Sequence, residues 1–194
     1  MTRWVFGNHL WKSIPILGAV FAVLMAACGG GADTGYDIVA PASIGPSEAI
    51  PAPSGEEVLA ISGLIAAKNG SGALNFDIPT LERLGLVEYS VDDPWLKDNF
   101  TYTGVLMSDL LKYAGIFHTA QSVHLVALDD YQVDIPISDI NKWPILLATR
   151  ANGEYMSVDN YGPTRIIYPY GSHSIDPTSH NDSWIWSLKS MEVR

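Results

Sequence analysis

One cysteine in a chain of 194 residues, Cys28, sets the first limit on what this sequence can fold into. No internal disulfide can staple the fold and no cluster of thiolates can hold a metal, so an ordered domain has to rest on a hydrophobic core. The composition supplies one: 47% of the residues are hydrophobic and 16% charged, the balance of a folded chain rather than a disordered one. The charge is one-sided, with 11 basic against 21 acidic residues and a formal net charge of −10. Such a surface repels phosphate backbones and argues against a nucleic-acid partner. A small anionic ligand stays open, because it needs only a local positive site.

The position of the cysteine is as informative as its solitude. Arg3 and Lys12 precede an apolar run over residues 14–27, broken only by Pro15 and Gly18, and no acid occurs before Asp33. A basic start, an apolar stretch too short to span a bilayer and a small-residue exit make the pattern of a secretory signal. Leu24-Met25-Ala26-Ala27-Cys28 resembles the bacterial lipobox, with Met25 where leucine is usual. That resemblance implies removal of residues 1–27 and a lipid on Cys28 that anchors an exported, periplasmic protein in a membrane. Gly29 follows the cysteine where an aspartate would favour the inner membrane, which implies the outer membrane in a Gram-negative host. Residues 28–57 are rich in Gly, Pro, Ala and Ser, with Pro41, Pro46, Pro51 and Pro53 opposing regular structure. They are expected to form a flexible tether, and residues 58–194 the folded domain.

Within that domain residues 58–65 read as a strand, Asn69-Gly70-Ser71-Gly72 as a turn and residues 74–76 as the returning arm of a hairpin. Residues 79–85 read as a short helix with Pro near its start and Gly at its end. Residues 87–91 alternate like a strand. The strongest helical pattern spans residues 103–115, with Leu106, Leu110, Leu111 and Ala114 on one face and Gly115 as the stop. Strands are expected over 123–128, 131–135, 145–149, 165–168 and 184–193, with a helical turn at 137–140 and a tight Asn152-Gly153 turn. Strands dominate, so the reading is α+β, with mixed, partly barrel-like β-sheets and short helices.

The order of these motifs resembles the oxidoreductase molybdopterin-binding domain of the sulfite oxidase superfamily. The matching pieces are Leu59-x-Ile61-x-Gly63-Leu64, then Thr103-Gly104-Val105-Leu106-x-x-Asp109-Leu110-Leu111-x-x-Ala114-Gly115, then Asp130-Tyr131 before Ile135-Pro136. Leu147-Ala148, Asn152-Gly153-Glu154, Gly162-Pro163-x-Arg165-x-x-x-Pro169 and Trp186-Ser187-Leu188-Lys189-x-Met191-Glu192-Val193 complete them. The resemblance implies a sulfite oxidase-like fold, molybdopterin as the possible cofactor and a pocket faced by Arg165, with Tyr131, Tyr161 and Trp95 beside it. Arg165 also carries meaning by itself: a charged side chain that opens the apolar run Ile166-Ile167-Tyr168 must reach solvent or an anion, so it either lines a pocket or makes a structural salt bridge.

The departures from the family pattern concern coordination. Catalytic members hold molybdenum through a cysteine in the loop before the Thr-Gly-Val-Leu segment, and residues 88–95 contain none. Ser90 offers a hydroxyl, a poor ligand for a soft ion. Tyr161 or Asn160 stands where a histidine is frequent, and Ile185 where a lysine is. Two functions therefore stand side by side: a lipid-anchored, molybdopterin-dependent oxidoreductase-like domain, and a non-catalytic envelope module that binds a ligand or a partner such as a redox or sensor protein. His173 and His180, with Asp176 and Asp182, match no standard metal spacing and read as a surface loop. Asp92-Asp93 and Asp129-Asp130 read as acids facing water. No nucleophile elbow, phosphate-binding glycine loop or dinucleotide fingerprint occurs.

Overall fold

The apolar and alternating runs become strands, arranged in two sheets. The computed structural model describes Met1, residues 34–45 and residues 48–194. Cys28 and its lipobox lie outside the described residues.

The first sheet contains β1 (Asp37–Ala40), β4 (Leu86–Asp92), β5 (Asn99–Leu106), β8 (Leu146–Ala151) and β10 (Arg165–Ile167), hydrogen-bonded in that order. A short β9 (Glu154–Tyr155) folds back on β8, and every pairing is antiparallel. Asn152 and Gly153 make that turn with φ of 50° and 82°, the left-handed pair that a two-residue hairpin requires. The second sheet contains β2 (Leu59–Gly63), β3 (Leu74–Phe76), β6 (Ser122–Ala127), β7 (Gln132–Pro136) and β11 (Leu188–Val193), in the order β3-β2-β11-β6-β7. Here β11 runs parallel to β2 and the other pairs are antiparallel, so the sheet is mixed. Both sheets are open and neither closes into a barrel. Short helices join them: α1 (Ile78–Glu82), α2 (Met107–Ala114), α3 (Ile137–Lys142) and α4 (Pro177–His180). Among the described residues no helix is long and apolar enough to cross a membrane.

The helical pattern that starts at Thr103 is helical only in its second half. The backbone stays extended through Leu106, and α2 begins at Met107, whose N–H donates to the Ile145 carbonyl at 2.9 Å. The reason is β5's place between β4 and β8. Residues 102–106 are all buried, and a continuous apolar run suits a central strand as well as a helix. Gly104 permits the contact, because a Cβ there would collide with the Leu147 carbonyl on β8. Gly115 does end α2, with φ of 65°.

The proline-rich stretch differs too. From Asp37 it is part of the domain rather than a free tether: β1 pairs with β4, and Ile44 and Ile50 are buried in the core. Tyr113 on α2 donates its hydroxyl to the Ile44 carbonyl at 2.8 Å, and Asn69 donates to the Pro51 carbonyl at 2.9 Å. Prolines exclude this segment from the interior of a sheet but not from packing along its edge.

Asp77 fastens the end of that segment. It caps α1 by accepting from the Thr80 N–H at 2.9 Å, and it accepts from the N–H groups of Ser54 and Gly55 at 2.9 and 2.8 Å. Burial works to raise the Asp77 pKa, but the hydrogen bonds from Thr80, Gly55 and Ser54 outweigh it and hold the carboxyl well below the usual carboxylate range. A depressed folded-state pKa gives stability that is present above the ordinary carboxylate value of about 4 and is lost as pH falls toward the folded-state value. In denaturant titrations Asp77→Ala should cost about 2 kcal/mol at pH 7. The gap between wild type and Asp77→Ala should narrow below about pH 4.

Candidate functional site

The loops at one end of the two sheets bring a charged cluster and two clefts together. Arg165 opens β10, and its side chain is almost wholly buried at 1% exposure. A guanidinium in that position needs an acceptor for its charge. Asp93, the first residue after β4 and 2% exposed, supplies it: Arg165 Nη2 donates to Asp93 Oδ2 at 2.8 Å. Tyr102 on β5 completes a triangle, with its hydroxyl accepting from Arg165 Nη1 at 2.9 Å and donating to Asp93 Oδ2 at 2.7 Å.

The other oxygen of Asp93 shapes the loop between β4 and β5. Asp93 Oδ1 accepts from the N–H groups of Trp95 and Leu96 at 2.8 and 2.9 Å. Four donors thus converge on one carboxylate, about as many as its oxygens can accept. Burial pushes the Tyr102 phenol upward; Arg165 pulls it down, Asp93 pushes it up, and the result lies well above the usual phenol value. Tyr102 therefore stays protonated and keeps donating through the neutral range.

Aromatic rings surround the guanidinium. Its central carbon lies 5.0 Å from the Trp186 ring centroid, 5.5 Å from those of Trp184 and Tyr102, and 5.7 Å from that of Tyr161. These distances fall within cation–π range. Arg165 Nε and Trp186 Nε1 are buried without a hydrogen-bond partner. Tyr161 packs on Trp186 with centroids 4.4 Å apart, and Trp95 meets it edge-on at 6.2 Å.

Two clefts open around this cluster. The first, of about 250 Å³, is lined by Trp95, Tyr131, Trp184 and Trp186, with Asp129 and Asp182 on its polar part. Tyr131 donates its hydroxyl to the Asp182 carbonyl at 2.9 Å, and Asp129 accepts the Tyr131 N–H at 3.0 Å. Burial first, and then the Asp182 carboxylate, raise the Tyr131 phenol pKa. The second cleft, of about 270 Å³, is lined by Phe100, Tyr102, Tyr161 and Arg165 among others.

All four residues singled out from the sequence meet around Trp186, but they divide between the clefts. Trp95 and Tyr131, 46% and 45% exposed, line the first; Tyr161 and Arg165 line the second. The charge of Arg165 is directed at Asp93 rather than outward. Asp93 itself is the main correction: read as a solvent-facing acid, it is among the most buried charges in the chain because it neutralises Arg165. Trp184 and Trp186 carry no local signal that marks them as site residues. For Asp93 the available signal was the arginine's need for an anion, which a stretch of local sequence cannot match to a partner 72 residues away.

The segment with the two histidines lies largely at the surface, with His180 packed against rings. His180 stacks on Tyr168 with centroids 5.4 Å apart and meets Trp143 edge-on at 5.0 Å. Among the described residues no group of three or more His, Cys, Asp and Glu is arranged to hold a metal ion.

Residues 83–175 match a family model described as the oxidoreductase molybdopterin binding domain. No curated protein matches the chain. Among solved structures, the sulfane dehydrogenase SoxCD from Paracoccus pantotrophus superposes with a TM-score of 0.54 at 18% identity, over 70% of this chain and 37% of that one. The chain thus spans well under two thirds of that structure, and the likeness concerns the fold. The family match covers Asp93, Trp95, Tyr102, Tyr131, Tyr161 and Arg165, and ends before Trp184 and Trp186.

A molybdenum–pterin group does not fit the residues present. Molybdenum favours a thiolate, and the sequence has no cysteine after Cys28. Ser90, in the stretch where the resemblance expects a ligand-bearing loop, lies instead on strand β4, is exposed and shares a hydrogen bond with Thr101 at 2.7 Å. A pterin phosphate needs free cations, whereas Arg165 is paired and the first cleft has two carboxylates and no Lys or Arg on its lining.

Removing one member of a buried ion pair leaves the other uncompensated. Arg165→Met and Asp93→Leu should each destabilise the domain by about 3–5 kcal/mol, and the double variant by much less than the sum. A double-mutant cycle in urea checks this; additive costs would show that the pair is not coupled.

Proposed function

We propose that this chain, whose globular part carries an oxidoreductase molybdopterin-binding domain by family match and fold, works as a lipid-anchored, non-catalytic ligand-binding module of the cell envelope. The observation that carries the reading is the closed Arg165–Asp93–Tyr102 cluster in a domain with no thiolate. The residue that the resemblance assigns to the pocket uses its charge to hold loops together. What the loops leave open is an aromatic cleft sized for a small molecule.

Export and anchoring rest on the leader pattern and on Cys28 at its small-residue exit. A domain held at a membrane by lipid is kept near other envelope proteins. Ligand capture there can be passed on by contact, without chemistry on the ligand.

Two measurements test the reading. Protein purified from a host that makes molybdenum cofactor should carry only background molybdenum and pterin by mass spectrometry; near-stoichiometric loading would refute the non-catalytic assignment. Wild type should incorporate a fatty-acid analogue and fractionate with membranes, and Cys28→Ala should not be processed as a lipoprotein and should take up no label. Label retained by Cys28→Ala would remove the anchor from this account.

A further inference from the structure

The cleft formed by Trp95, Tyr131, Trp184 and Trp186 has an electrostatic character unlike that of a pterin site. Its polar part comes from Asp129, Asp182, Asn181 and the Tyr131 phenol, of which the two aspartates carry charge, and no Lys or Arg lines it. Among the described residues no cation pairs with either carboxylate; the ion pair nearby, Lys189 with Asp130, uses the neighbouring acid instead. The apolar part is built from indole and phenol faces, whose π-clouds attract positive charge.

Aromatic faces beside carboxylates that no cation neutralises attract the same kind of guest. We propose that this cleft binds a small organic cation, a quaternary or protonated alkylammonium, with its charged head against the indoles and next to Asp129 and Asp182. This deepens the ligand-binding reading given above and rests on it. A volume of about 250 Å³ suits a ligand of a few heavy atoms rather than a nucleotide.

Arg165 could oppose such a guest, because its guanidinium lies near Trp184 and Trp186. The Asp93 carboxylate at 2.8 Å cancels that charge, so the cleft experiences the pair and not a lone cation. Asp129 and Asp182 then decide the sign of the local potential. The protein's net charge of −10 adds a long-range attraction for cations that salt screens.

The test is isothermal titration calorimetry of the intact protein with three probes: choline, its neutral isostere 3,3-dimethylbutan-1-ol, and inorganic phosphate. Choline should bind saturably and more weakly as salt is raised, while the alcohol and phosphate should not bind measurably. Trp95→Ala and the double variant Asp129→Asn/Asp182→Asn alter exposed side chains and should each weaken choline by roughly tenfold. Equal binding of the alcohol, binding of phosphate, or no binding of choline would each overturn the proposal. So would choline affinity unchanged in both variants. Molybdenum content is independent of these outcomes, so the cation assignment can fail while the non-catalytic reading stands.

Discussion

A guanidinium buried among rings and neutralised by one carboxylate is the interaction on which this end of the molecule depends. An isolated charge in such a place would be very costly, and the fold removes most of that cost by bringing Asp93 to Arg165 and placing the Tyr102 hydroxyl between them. The same carboxylate accepts two backbone N–H groups of its own loop and so fixes Trp95. Trp186 lies next to the guanidinium and carries Tyr161 on it. The cluster therefore sets the positions of the rings that line both clefts, and its charge is satisfied internally.

The sheets make this possible by holding β4, β5 and β10 in one framework. Asp93 leaves the end of β4, Tyr102 projects from β5, and Arg165 begins β10, which reaches β5 through β8. Gly104 lets β5 and β8 approach closely enough for that framework to be tight. At the opposite side of the first sheet, β1 and the segment behind it are tied in by Tyr113 and Asp77, so part of a proline-rich stretch becomes the domain's edge.

Much of this was legible in the sequence, and the failures share a cause. The hairpin of β2 and β3, the short helix α1, the Asn152-Gly153 turn and the Gly115 stop all rest on local residue chemistry and occur as expected. The family resemblance placed Trp95, Tyr131, Tyr161 and Arg165 at one pocket, whereas Trp95 and Tyr131 line one cleft and Tyr161 and Arg165 another. What local pattern could not give was tertiary choice. Thr103–Leu106 is apolar enough for a helix and becomes a strand because β4 and β8 flank it. Asp93 has the local signature of a solvated turn acid and is buried because of an arginine far along the chain. The prolines correctly oppose regular structure, yet they do not prevent Ile44 and Ile50 from entering the core.

The charge of Arg165 is neutralised within the protein by Asp93 and is not held in reserve for an anion. Nitrogen-15 NMR of the arginine side chains in the protein without added ligand tests it most directly. Arg165 should give a resolved, slowly exchanging guanidinium signal whose shifts stay fixed as phosphate or molybdate is added. Rapid guanidinium rotation and exchange, or shifts that titrate with either anion, would contradict it.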